Sequence, residues 1–360
     1  MKVLVACDKF KGSMTAVEAC EAIANGLWEG CPGVEVEQAP IADGGEGFTQ
    51  AVYDALGGEW VVCETLDAIG RKCEARYLVV GDTAVMEMAA ACGLEMIEKE
   101  LREPEYANTA GVGIMIRDAV NSHGVKRIVL GLGGSATNDA GAGMAVELGA
   151  QFYDAGGNPL MPVPAELERA KSADLSQLIR LPEVVVACDV RNPLLGENGA
   201  SAIYGPQKGV EDVGRMDAIL RTIMEVSGGE EVAEVEGAGA AGGLGFGLLH
   251  FAGGKLVNGF DWLANELQLA QRIAAVDLVI TGEGSLDAQT AEGKGPAGVA
   301  LMAKASGKPV VAMAGRIEDG AEEAFDRHYA LSRLGLPLDE CIARGKVLLK
   351  NVAREEAEKW

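Results

Sequence analysis

Residues 126–143 read KRIVLGLGGSATNDAGAG, and the succession of residue types here decides the fold class. Ile128 to Leu130 is a short apolar run suited to a buried strand. It ends in Gly131, Gly133 and Gly134, followed by Ser135. Thr137, Asn138 and Asp139 then read as the entry to a helix, because their short polar side chains can cap exposed backbone N–H groups. A strand that ends in a glycine loop before a helix is a building block of a parallel α/β sheet. It also leaves backbone donors facing an anion at the helix N-terminus. The arrangement recurs where Asp277 to Ile280 (DLVI) runs into TGEGSLDAQTAEGKGPAG at 281–298, with carboxylates, a Ser and a Lys among the glycines.

Outward from this stretch the same grammar repeats. Val3 to Cys7 reads as a buried strand and DKFKGS (8–13) as a loop. Thr15 with Glu18 three residues on forms a capping box, and Val17, Cys20, Ile23, Ala24 and Leu27 give the helix behind it one apolar face. Val34 to Ile41 predicts a second strand, ended by ADGGEG (42–47), and Phe48 to Leu56 a second helix. This alternation favours a parallel sheet. Trp60 to Leu66, Lys72 to Val80 and Ala84 to Ala89 are instead three strand-like runs without long helices between them. They predict antiparallel pairing and a change of domain near residue 60. Alternation returns from about residue 265, with the Asp277 strand, a helix from Pro296 and a strand over Pro309 to Ala314. The expected organisation is an α/β domain built from 1–60 and 265–360, interrupted by a second α/β domain over 61–264.

Composition narrows the function. The 360 residues carry a formal net charge of −23, which argues against nucleic acid or an anionic membrane as partner. An acidic chain that binds an anion must gather its Lys and Arg locally. The eight cysteines include no C-x-x-C spacing, so zinc and a disulfide framework are not expected. The chain has no 18-residue apolar stretch, and the Val3 to Cys7 run is cut short by Asp8, Lys9 and Lys11. The expectation is a reduced, cytoplasmic protein. His123, His250 and His328 are isolated, so the chemistry should not rest on imidazole.

Six local patterns stand in order along the chain: CDKFKGS (7–13), ADGGEG (42–47), GGSATNDAGAG (133–143), ACDVRNPLLGENGA (187–200) with YGPQKG (204–209), GAGAAGGLG (237–245) and TGEGSLDAQTAEGKGPAG (281–298). In this order and spacing they resemble the glycerate kinase family of bacterial type, over nearly the whole chain. The resemblance implies ATP-dependent phosphorylation of D-glycerate. It also implies a flavodoxin-like α/β domain with a second α/β domain inserted. Where the family's first loop commonly reads PDSFK, this chain has Cys7 for Pro and Lys9 for Ser.

Phosphoryl transfer needs phosphate donors, a magnesium site and a positioned hydroxyl. Asp43, Asp189 and Lys11 are the candidate catalytic residues. Both aspartates follow apolar strand-like runs, and Lys11 is flanked by Gly12 and Ser13. Ser13, Gly44, Gly45, Glu46 and Arg191 are candidates for binding the small acid. Gly133, Gly134, Ser135, Asp139, Lys208, Glu283, Ser285 and Lys294 are candidates for the nucleotide, and Asp287 for the metal. ATP and Mg²⁺ are the expected co-substrate and cofactor, and D-glycerate the expected partner, with 2-phosphoglycerate favoured as product. Each of these residues also has a plainer reading as a cap, turn or surface charge. No Gly-x-x-x-x-Gly-Lys-Ser/Thr occurs, which excludes a P-loop. Two rivals are an NAD-dependent oxidoreductase and a non-catalytic organic-acid-binding protein. The first is weakened by the lack of G-x-G-x-x-G after the first strand, the second by carboxylates at several strand ends.

Overall fold

A computed structural model describes residues 1–42, 47–287 and 295–360. The chain forms two compact units. One comprises Met1–Asp43, Gln50–Leu56 and Phe260–Trp360, the other Gly44–Thr49 and Gly57–Gly259.

The first unit is built on a five-stranded sheet, every pair parallel. Its spatial order is Arg327–Ala330, Val310–Ala314, Leu278–Gly282, Lys2–Cys7, Glu35–Gln38. Counted as the chain visits them, this is the order 2-1-3-4-5 of flavodoxin-like sheets. The central strands are continuous apolar runs because both sheet faces are covered; Val3 to Cys7 are wholly buried. The Val34 to Ile41 expectation was longer than the strand found. Only Glu35–Gln38 is regular, but Ala39 and Ile41 still donate N–H bonds to Val5 and Cys7 and prolong the ladder.

The helix Ala16–Gly30 begins with the capping box expected at Thr15 and Glu18. It packs on the helix Gly345–Ala357 with almost no space between the backbones. A Cβ on Gly26 would stand 2.1 Å from the Lys350 carbonyl oxygen, and one on Gly30 2.4 Å from that of Arg354. Two glycines four residues apart share one helix face, so they provide this contact stripe.

The second unit holds a six-stranded mixed sheet in the order Lys255–Val257, Glu183–Ala187, Arg127–Gly131, Thr83–Glu87, Lys72–Val80, Glu59–Leu66. The first four strands are parallel to one another. The last three form the antiparallel meander expected from the consecutive strand-like runs, with Glu59 opposite Val79 and Leu66 opposite Lys72. Tyr77, Phe152 and Phe246 lie in its core.

One local expectation is corrected. The helix after the glycine loop is Ala142–Glu147, six residues entered through Gly141 at φ +73°. Of the three expected entry residues, Asp139 caps this helix, its carboxylate accepting the Gly141 and Gly143 amides, whereas Thr137 and Asn138 take no part in it; all three are fully buried in the loop before it. No helix among the described residues is long and apolar enough to cross a membrane.

Candidate active site

The glycine loop leaves the strand Arg127–Gly131 at the C-terminal end of the parallel strands, where open α/β sheets place ligands. Gly134 turns it at φ +68°. Among the described residues, the amide N–H groups of Gly133, Gly134 and Ser135 meet no acceptor. Gly133 is half-buried and Gly134 exposed. These amides, and not the first turn of the following helix, are the donors open to an anion.

The helix donors are taken from within by Asp139. Its carboxylate accepts the Thr109 amide at 2.8 Å, the Thr109 hydroxyl at 2.8 Å, the Gly143 amide at 3.0 Å and the Gly141 amide at 3.3 Å. Thr109 precedes the helix Ala110–His123, so one carboxylate serves the N-termini of two helices, a favourable place for negative charge. Burial still pushes the Asp139 carboxyl up from its ordinary value, and the amide and hydroxyl donors work against that.

A second tie comes from the helix Ala200–Lys208, whose Ser201 and Lys208 are seven residues apart and share one face. Asn138 donates its side-chain amide to the Ser201 hydroxyl at 2.9 Å. Lys208 donates from Nζ to the Ser135 hydroxyl at 2.7 Å and to the Thr137 carbonyl at 2.6 Å. The lysine is 2% exposed. Desolvation pushes its ammonium down to about 7, while the Asp139 charge holds it up. The buried Thr137 hydroxyl and Asn138 carbonyl oxygen have no hydrogen-bond partner among the described residues. On the other side lies the segment Ala240–His250, in which Ala241, Gly242 and Gly243 are left-handed. It approaches so closely that a Cβ on Gly242 would lie 1.9 Å from the Thr137 carbonyl oxygen.

The first unit presents a separate surface at its own switch point, between the adjoining strands Lys2–Cys7 and Leu278–Gly282. Asp8 and Glu283 follow directly on these two strands. The Asp8 amide donates to Gly282 and the Gly284 amide to Lys9, so the two loops are joined. Asp8 is 5% exposed, and its carboxylate accepts the Lys9 amide at 2.6 Å. The N-terminus of the helix Gly295–Ala305 is close by: a Cβ on Gly295 would be 3.8 Å from Asp8 Oδ2. Glu283 and Asp287 are half-buried on either side of the short strand Ser285–Leu286, which pairs with Arg316–Ile317; Ser285 is half-buried as well.

A model of the glycerate kinase family matches residues 3–360. This chain belongs to the glycerate kinase family. It is 41% identical over 369 residues to a glycerate kinase of Halalkalibacterium halodurans, covering 99% of this chain and 97% of that protein. Identity to the glycerate 2-kinase of Escherichia coli K12 is 42% over 329 residues, 89% and 86% of the two chains. A crystal structure described as that of a glycerate kinase 2 from Salmonella typhimurium LT2 superposes with a TM-score of 0.89 at 37% identity, covering 100% of this chain and 98% of that one.

For this glycerate kinase family member, the remaining candidate residues are placed as follows. Lys11 is exposed on the tight turn Phe10–Met14, where Gly12 takes φ +77°. The Ser13 hydroxyl donates to the Ile342 carbonyl at 2.6 Å, so its proton is engaged within the fold. Asp189, just beyond the strand Glu183–Ala187, accepts the Gly259 amide at 3.0 Å. Arg191 is exposed, with its guanidinium 3.9 Å from Glu236. Asp43, Gly44, Gly45, Glu46 and Lys294 lie outside the described residues. Among the described residues, no three His, Cys, Asp or Glu side chains gather where they could share a metal ion.

Sequence reasoning passed over Asp8, Thr109 and Ser201. Asp8 had a usable signal, a carboxylate directly after the first strand of an α/β sheet. Ser201 had a weaker one, its seven-residue spacing from Lys208. Thr109 had none, since its partner Asp139 is thirty residues away in the chain.

Proposed function

We propose that this protein transfers the terminal phosphoryl group of ATP to D-glycerate, giving 2-phosphoglycerate and ADP, in the cytoplasm. The observation that carries the reading is the glycine loop: three consecutive amides without an acceptor among the described residues, anchored by Lys208 and Asp139. Such a row of rigid donors suits a phosphate or carboxylate. Preference for the 2-hydroxyl is supported by the likeness to a glycerate 2-kinase.

Gly133, Gly134 and Ser135 hold an anionic group by their amides, with Asp139 and Lys208 shaping the loop from inside. Asp8, Glu283 and Asp287 offer carboxylate oxygens, the donors Mg²⁺ prefers, and one or two of them with the nucleotide phosphates would suffice to hold it. Bound there, Mg²⁺ supplies charge neutralisation for the phosphates. Glu283, Ser285 and Lys294 are assigned to the nucleotide. Asp43 and Asp189 are assigned to orienting the acid and accepting its hydroxyl proton, and Lys11, Gly44, Gly45, Glu46 and Arg191 to binding its carboxylate; Ser13, whose hydroxyl and amide protons go to the Ile342 and Phe10 carbonyls, is no longer assigned to it. Because the transition state is loose, positioning and charge neutralisation account for most of the acceleration.

The test is ADP release coupled to a reporter, with D-glycerate and with chelator added or absent, and the product identified by phosphorus NMR. Glycerate-dependent, Mg²⁺-dependent ADP formation with phosphate on the 2-hydroxyl is expected. NAD reduction without ATP use would establish the oxidoreductase reading instead, and glycerate binding without turnover the binding-protein reading.

A further inference from the structure

Lys208 is an unusual place for a positive charge. It is buried, and among the described residues no carboxylate is in ion-pair contact with it. A buried ammonium without a touching counter-ion is costly, so most lysines in such a place lose the proton or find a partner. Two features keep this one in position. It sits in the last turn of its helix, where the dipole favours a cation. It also grips the loop on both sides of Ala136, through the Ser135 hydroxyl and the Thr137 carbonyl. The amides of Gly133, Gly134 and Ser135 lie on this same loop, without an acceptor among the described residues. An anion seated on them would supply the countercharge that the protein alone leaves out.

We infer that Lys208 is a positioning residue for phosphoryl transfer: it fixes the Gly133–Ser135 amides from beneath, and an anion binding to those amides draws a proton onto it. The inference rests on the proposed function only in taking the loop as the seat of a substrate anion. Burial has brought the free lysine down to about 7, so above neutral pH a proton is there to be gained on binding. The other titratable groups on packed elements are otherwise engaged. Arg102 bonds the Ile97 and Leu94 carbonyls, Arg215 pairs with Glu105 and Glu168, and His250 meets the Ser227 carbonyl. Cys92 is pushed far up by burial and stays a thiol. Among the described residues, the Asp139 charge acts on Lys208 and favours its protonated form.

The experiment is titration calorimetry on the full chain at pH 7.5 in buffers of different ionisation enthalpy, with ATP and with D-glycerate as separate titrants. One of them is expected to bind with uptake of a substantial fraction of a proton. In Lys208→Met the uptake disappears, that titrant binds at least tenfold more weakly and kcat falls at least a hundredfold. Lys208→Arg, permanently charged, is expected to bind it without uptake. Ser135→Ala breaks one tie and leaves the charge, so it keeps the uptake and lowers kcat. It decides the matter if the lysine variants fail to fold. Binding of both titrants to the unaltered protein without proton uptake overturns the inference, as does a folded Lys208→Met with unchanged uptake and kcat. Absence of any ATP or glycerate turnover in the unaltered protein would instead count against the proposed function.

Discussion

Gly242 and the Thr137 carbonyl leave no room for a side chain between them: a Cβ at 242 would stand 1.9 Å from that oxygen, and Gly242 itself holds φ +69°. The carbonyl is the same one that Lys208 grips from the other side. Gly242→Ala must therefore displace the loop, whereas Gly253→Ala, at φ +63° with open space around it, meets strain alone. The expected cost is about 1–2 kcal/mol at 253, and more than about 3 kcal/mol with activity lost at 242. Urea unfolding of the two variants checks this.

Asp139 should behave as a structural residue. Asn in its place offers one acceptor oxygen where the carboxylate serves four donors, and it turns an NH₂ toward others. Asp139→Asn is expected to lose about 2–4 kcal/mol, because buried donors are left unpaired. A denaturation midpoint equal to that of the unaltered protein would refute this assignment.

Stability should rise with pH through the alkaline range. An unfolded lysine titrates near 10.4, and Lys208 in the fold near 7. Between these values the unfolded chain holds one more proton than the folded one, so raising pH favours folding by up to about 1.4 kcal/mol per unit. Below about 7 both states are protonated and the dependence from this group vanishes. Unfolding free energies over pH 6.5–9.5, compared with those of Lys208→Met, isolate the contribution as the slope the variant lacks.

Asp8 and Asp189 separate chemistry from scaffolding in the opposite sense. Asp8 stands directly, and Asp189 two residues, beyond a strand with parallel neighbours, and Asn preserves their size while removing charge. Asp8→Asn, Asp189→Asn and Asp43→Asn are each expected to lower kcat by a factor of about a hundred or more, with melting nearly unchanged. Near-normal kcat in all three would move the catalytic carboxylate to Glu283 or Asp287.

Much of the fold could be read from local pattern. The continuous apolar run Val3 to Cys7 and the Thr15–Glu18 box specify their elements with no help from distant residues. The loop at 132–141 is different. Thr137, Asn138 and Asp139 make good caps in any context, and only tertiary contact shows that they are buried. Nor does any propensity put Ala140 and Ala241 at φ +51° and +53°. Those angles follow from two backbones pressed together, where Gly243 and Ala140 also meet. The candidate site residues that the sequence offers are those that follow a strand or stand among glycines. Asp8 did follow one, yet it reads equally well as the start of a turn.

The first strand has a consequence for how the chain is made. Lys2 and Asp277 are hydrogen-bonded neighbours 275 positions apart, and the strands over 278–282, 310–314 and 327–330 all lie further on. At a ribosomal pace of roughly 5–20 residues per second, the Val3 to Cys7 strand waits on the order of 15 to 60 seconds for its first parallel neighbour on that side. All six strands of the second sheet emerge in that interval. An apolar segment that must wait is a natural client for a chaperone during synthesis, and a point at which slowed translation would lengthen its exposure.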